Sequence, residues 1–193
     1  MKFSDIVDEH NKVPNQNFPK PSLDNAIKIG KISLKDGEVV DVYKKQHQNQ
    51  IQYIAAKNNV IFGFVNLVSI PARSNLLMAK NAQSYIQGKN VLLNLLLFCK
   101  KNTNSHILSD IEMSDSGEES WFKIIKNPRI NAKIYNFDLD KVYNLDDSTA
   151  TKPEKDTQIN SNDINWFYMI ESAISTKFDQ HITDGLCIPN YYD

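Results

Sequence analysis

Two places in this chain carry residue types and spacings suited to chemistry. Gln87-Gly88-Lys89-Asn90 stands between a strand-like run and a helix-like run. A glycine at such a junction lets backbone N–H groups turn toward a phosphate, and the start of the helix adds partial positive charge for Gln87 or Lys89 to reinforce. Asp110 and Glu112 follow the next apolar segment. A carboxylate at a strand end that points into a cleft has its pKa raised by burial, which suits it to take a proton from an amine. His10, His47, His106 and His181 are scattered without ligand spacing, so no metal site is expected. Asp138, Asp140, Asp146 and Asp147 read as a polar strand end and linker, not as a metal-binding set.

These groups need elements to hold them. Residues 1–25 form an irregular lead-in broken by Pro14, Pro19 and Pro21. Residues 26–34 alternate apolar and polar, Asp36-Gly37 makes a hairpin turn, and 39–43, 51–56 and 60–70 continue as strands. Residues 75–85 read as a further strand. Residues 88–101 are apolar on nearly every side, which predicts a buried helix. A short strand over 105–111 comes next. Ser116-x-x-Glu119 has capping-box spacing for a second helix, which carries Trp121, Ile124 and Ile125 on one face and ends at Asn127-Pro128. Residues 130–139 alternate again as a strand, completing a domain over 26–145. Residues 146–162 are poor in apolar side chains and read as a flexible linker. In the last segment, 163–193, Asp163 is placed to cap a helix over 163–178, because Ile164, Phe167, Tyr168, Ile170, Ile174 and Phe178 recur at helical spacing. Its apolar stripe predicts self-association or a protein partner.

Composition narrows the function classes. The 193 residues carry a formal net charge of -1, so no global field favours nucleic acid or an anionic membrane. Trp166, Phe167 and Tyr168 lack neighbouring Lys or Arg and do not form a base-stacking platform. Cys99 and Cys187 are the only cysteines and share no ligand spacing, which points to a reducing compartment. No apolar run is long enough to span a bilayer, and the N-terminus has the acids that a signal peptide lacks. A cytoplasmic protein is expected, with no membrane or nucleic-acid partner.

The order of elements makes an α+β layout, a mixed and mainly antiparallel sheet covered by helices with an extra C-terminal helix. Within it, Ser109-Asp110 is followed by Ser114-x-x-Gly117-x-x-x-Trp121. In these features the chain resembles the GCN5-related N-acetyltransferase (GNAT) superfamily. It is similar in particular to the divergent GNAT-like proteins encoded by bacteriophages and prophages. The resemblance runs over about residues 26–139 by element order and is specific over 84–135. It implies a GNAT-like fold and transfer of an acetyl group from acetyl-CoA to an amine. Met78, Ala79, Gln87, Gly88, Lys89, Asn90 and Val91 would hold the cofactor, and Asp110 or Glu112 would act as base through water. The superfamily loop reads Gln/Arg-x-x-Gly-x-Gly/Ala, against Tyr85-Ile-Gln-Gly88-Lys-Asn90 here. Asn-x-x-Ala-x-x-x-Tyr, whose tyrosine protonates the departing thiolate, is replaced by Ser114, Gly117 and Trp121. An indole has no proton to give, so Trp121 reads as a core anchor, and Tyr135 and Tyr143 are the nearby hydroxyls. The alternative implied by these departures is a catalytically degenerate protein acting by protein binding, in the virion or against a host defence. A further alternative is another fold with the same element order, which would lack a splay between strands 75–85 and 105–111.

Overall fold

The structure, a computed structural model, describes residues 11–12, 18–71, 73–110, 112–137, 139–145 and 166–173. In chain order the strands are β1 (Asn11–Lys12), β2 (Ile27–Ser33), β3 (Val39–His47), β4 (Gln50–Lys57), β5 (Val60–Ile70), β6 (Arg73–Ser84), β7 (His106–Leu108), β8 (Glu112–Met113), β9 (Ile130–Asn136), β10 (Lys141–Asn144) and β11 (Trp166–Ala173). The two helices are α1 (Val91–Asn102), between β6 and β7, and α2 (Asp115–Ile125), between β8 and β9. Neither is long and apolar enough to cross a membrane.

Nine strands form one mixed sheet in the order β10-β9-β11-β7-β6-β5-β4-β3-β2. From β2 to β6 the chain is an antiparallel meander closed by short turns. Asn58 and Asn59 both adopt positive φ in the two-residue turn before β5, the backbone that matches strand twist in a tight hairpin. The one parallel pair in this sheet is β6–β7. A parallel neighbour needs a crossover, and α1 supplies it. β11 then pairs antiparallel with both β7 and β9, lying between two strands that precede it in the chain. β1 and β8 make a separate two-stranded parallel ribbon.

Both helices pack on one face. Leu95, Leu96, Phe98 and Cys99 of α1, with Trp121, Ile124 and Ile125 of α2, share a core with Val42, Tyr53, Val65, Leu77, Ile107, Ile134, Tyr168 and Ile170. Two glycines let α1 lie close. A Cβ on Gly30 would fall 2.7 Å from the Phe98 ring, and one on Gly63 would fall 2.7 Å from the Gln83 carbonyl and 2.9 Å from Val91. The other face holds two separate clusters. Leu76, Leu108, Tyr135, Phe167 and Met169 form one. Ile54, Ala56, Ile61 and Phe64 form the second, where Phe18 and Leu23 of the lead-in pack.

This architecture overturns the expected GNAT-like α+β layout of a sheet covered by helices with an extra C-terminal helix. The described residues are dominated by the nine-stranded mixed sheet, and their two helices cover one face. The segment expected as a helix over 163–178 is strand β11 wherever it is described. The physical reason lies in Phe167-Tyr168-Met169-Ile170, four consecutive buried apolar residues. A central strand sends such residues alternately to two buried faces. Tyr168 and Ile170 join the helix-side core, whereas Phe167 and Met169 join the opposite cluster. Of the apolar stripe expected to meet a partner, Phe167, Tyr168 and Ile170 are inside the sheet, whereas Ile164, Ile174 and Phe178 lie outside the described residues. Asp163, the 146–162 linker, His10, His181, Cys187, Asp138, Asp146 and Asp147 lie outside the described residues.

Candidate functional site: the β6–α1 junction and the end of the parallel ladder

The parallel ladder between β6 and β7 is short. Leu76, Leu77 and Met78 face His106, Ile107 and Leu108, and from Ala79 to Ser84 β6 has β5 as its partner strand. The strands part company at Met78, which belongs to the apolar cluster beneath the sheet. Ala79 is buried against the helix-side core. Beyond this point β6 runs on toward the glycine junction.

At that junction the Tyr85 N–H still donates to the Phe62 carbonyl at 2.8 Å, and the Ser84 hydroxyl to the Ile86 carbonyl at 2.7 Å. The chain then leaves the sheet. Gly88 has φ +74° with open space around its missing Cβ, so glycine is required here by the backbone angle and not by crowding. Asn90, the N-cap of α1, is also left-handed, with φ 55° and ψ 35°, and its side chain makes no capping bond. No acid sits in the first turn. The first-turn N–H groups of α1 therefore keep their partial positive charge. Val91, the first helical residue, is buried against Gly63 and fixes where that charge points. Gln87, Gly88 and Asn90 are exposed.

Lys89 has another occupation. Its ammonium lies 3.0 Å from Asp36 and 2.5 Å from Glu38, across the β2–β3 turn, and 5.7 Å from the centre of the Phe62 ring. Glu38 also accepts from Lys57 at 2.9 Å. Hydrogen bonds from Lys89 hold the Asp36 and Glu38 carboxyls below their ordinary range, and the two acids in turn raise the Lys89 pKa. The side chain read as a phosphate contact moors a hairpin.

Asp110 lies two residues beyond the last ladder residue of β7. Between them Ser109 is fully buried and clipped to β11 twice. Its N–H donates to the Tyr168 carbonyl at 2.8 Å, and its hydroxyl accepts from the Tyr168 N–H at 3.2 Å. Asp110 is only 7% exposed, with the Lys80 ammonium 3.9 Å from Oδ1. Glu112 stands in the β1–β8 ribbon, outside the large sheet. Tyr135 is on β9 in the cluster opposite the helices, and its hydroxyl donates to Asp140 Oδ1 at 2.7 Å. Arg73 pairs with the other Asp140 oxygen and sits 5.5 Å from the Phe137 ring centre. Burial first, and then the Asp140 hydrogen bond, push the Tyr135 phenol up to about 12. The structure thus joins Asp110 to Lys80, and Tyr135 to Asp140 and Arg73. The three expected catalytic residues stand in three different settings.

The Ser-x-x-Gly-x-x-x-Trp motif proves to be a helix start and an anchor. Ser114, not Ser116, is the N-cap of α2, and its hydroxyl accepts from the Gly117 N–H at 3.2 Å. Trp121 is buried and stacks on Tyr168, with centroids 6.4 Å apart and planes at 26°. One further site was not anticipated from sequence. Gln52, Asn66 and Asn81 line a cleft under the lead-in, and the available signal was a lone Asn66 inside the apolar run of β5.

No protein-family model matches this chain, and no curated protein sequence resembles it at a significant level.

Proposed function

We propose that the chain binds acetyl-CoA where β6 leaves β7 and transfers the acetyl group to an amine. The observation that carries this reading is the early end of the parallel ladder at Met78, with the uncapped start of α1 at the far end of the same strand. A thioester arm laid along the unpaired side of β6 would find free backbone groups there, and its diphosphate would meet the first-turn N–H groups at Gly88 to Val91. Asp110 is the base. Held against Lys80 and largely withdrawn from water, it accepts the amine proton through a water molecule as the nitrogen attacks the thioester carbonyl. The carbon–sulfur bond then breaks, and the thiolate takes its proton from solvent. Trp121 has none to give and is buried in the core.

The reading is tested by calorimetric titration with acetyl-CoA, followed by acetyl transfer to a panel of primary amines. Saturable binding is expected, with Asp110→Asn retaining binding and losing turnover by about 100-fold, the usual contribution of a general base. Absence of binding at millimolar acetyl-CoA would remove the proposal.

A second reading is favoured by Lys89, whose charge is committed to Asp36 and Glu38, and by the buried indole at the acid position. In it the chain acts by protein binding without catalysis, as a virion component or host-defence antagonist. Binding of acetyl-CoA with no transfer to any amine would select it.

A further inference from the structure

Three carboxamides lie abreast on three neighbouring strands. Gln52 of β4 is opposite Asn66 of β5, and Asn66 is opposite Asn81 of β6. Gln52 Nε2 donates to Asn66 Oδ1 at 2.8 Å. The row lines an open cleft of about 280 Å³, bordered by Phe64 and the 18–22 segment of the lead-in. Amides on a half-covered sheet face cost desolvation unless a partner meets them. The lead-in is not that partner. It is moored beside the row, by the Phe18 N–H to Gln83 Oε1 at 2.7 Å and by the Tyr85 hydroxyl to the Phe18 carbonyl at 3.1 Å. Gln52, Asn66 and Asn81 line the cleft without a hydrogen bond to the described part of the lead-in.

The lining chemistry selects a ligand class. Each carboxamide presents a donor and an acceptor side by side, the complement of vicinal hydroxyls, which also donate and accept. Phe64, Pro19 and Pro21 supply an apolar wall for a C–H face. No carboxylate lines the cleft, and its single cation, Lys20, lies 5.3 Å from the centre of the Tyr85 ring. One lysine among neutral amides is a poor cradle for a phosphate, which draws several donors and cations. The volume falls just below the range of roughly 300–1,000 Å³ for drug-sized ligands, so it suits a single ring.

We propose that this cleft is a binding site for a neutral sugar, taken free or as the terminal residue of a glycan. The test uses the full chain, labelled with nitrogen-15, titrated with N-acetylglucosamine and with chitotetraose. An acetylated, amidated trialanine peptide and inorganic phosphate serve as the opposing probes. Saturable shifts of the Gln52, Asn66 and Asn81 side-chain amide signals with either saccharide support the site. The tighter of the two distinguishes a free sugar from a glycan end. Asn81→Ala, at a half-exposed position, should keep the melting temperature and weaken saccharide binding about fivefold, the loss of one neutral hydrogen bond. The proposal is overturned if neither saccharide shifts these signals at tens of millimolar, if the peptide or phosphate binds more tightly, or if Asn81→Ala leaves the affinity unchanged.

Discussion

The two helices among the described residues begin in opposite ways. α2 is capped by the Ser114 hydroxyl, which satisfies the Gly117 N–H, and is fixed by the Trp121 indole. α1 starts from the left-handed Asn90, makes no side-chain cap, and is held down by what Gly63 lacks, a Cβ. One junction satisfies its polar groups internally. The other leaves them facing outward, at the end of the strand that loses its parallel partner early. A helix start that is costly to leave open is where a ligand with negative charge has something to gain. The contrast is the physical basis for the proposal that acetyl-CoA would bind at α1.

The largest test of this contrast is at the anchors. Trp121→Ala removes a buried, stacked indole and should destabilise the protein by about 3–5 kcal/mol in urea unfolding. Gly63→Val should act by overfilling, pushing Val91 and the start of α1 off β5 at about 1–3 kcal/mol or more. It should also weaken acetyl-CoA binding, which Trp121→Ala at the other junction would not do at temperatures where it stays folded. Equal effects of both substitutions on binding would erase the distinction between the junctions.

Next in size are the caps themselves, which should respond with opposite signs. Ser114→Ala loses a capping bond and should cost about 1 kcal/mol. Asn90→Gly relieves a left-handed non-glycine residue without losing any cap, and should raise stability by roughly 0.5 kcal/mol. If Asn90→Gly were as destabilising as Ser114→Ala, the α1 start would not be open.

The smallest effect belongs to the exposed network around Lys89. Asp36 and Glu38 have depressed pKa values in the folded chain. Their contribution is present above the unfolded carboxylate range of about 4 and is lost as pH falls through the lower folded values. The Lys89 pKa is raised, so its contribution is complete below about 10.4 and fades as pH climbs past that. Melting curves of the wild type and Lys89→Gln should therefore differ most in the neutral range and converge in strong acid. A difference unchanged down to strong acid would show that Lys89 acts through packing on Phe62 and not through its charge.

The meander was legible because its signals are local. Alternation in 26–34 and the Asp36-Gly37 turn each lie within a few residues, and each led to the strand found there. The β11 segment was not legible, because its apolar positions satisfy a helical period and a doubly buried strand alike, and only the spatial neighbours β7 and β9 decide between them. Ser116 was read as the cap of α2 from its spacing to Glu119, whereas the hydroxyl that closes the helix is two residues earlier. At the site, Gly88 announced its backbone angle through its residue type. The fate of Lys89 depended on acids 51 and 53 positions away, which no local pattern reveals. Asn66 was visible as an oddity in β5, but its meaning required Gln52 and Asn81 alongside it.

The place of β11 has a consequence for how the molecule comes into being. A chain emerging from the ribosome can close hairpins from β2 to β6 as they appear, each over a short loop. β7 and β9 must each wait with one edge open until residues 166–173 have been synthesised, because β11 is the strand that covers that edge of both. During that interval the nascent protein is two unfinished sheets. The eight residues that join them follow every other strand of the sheet, so its assembly is gated by the synthesis of β11, and a product that lacks β11 would display the edges that drive aggregation.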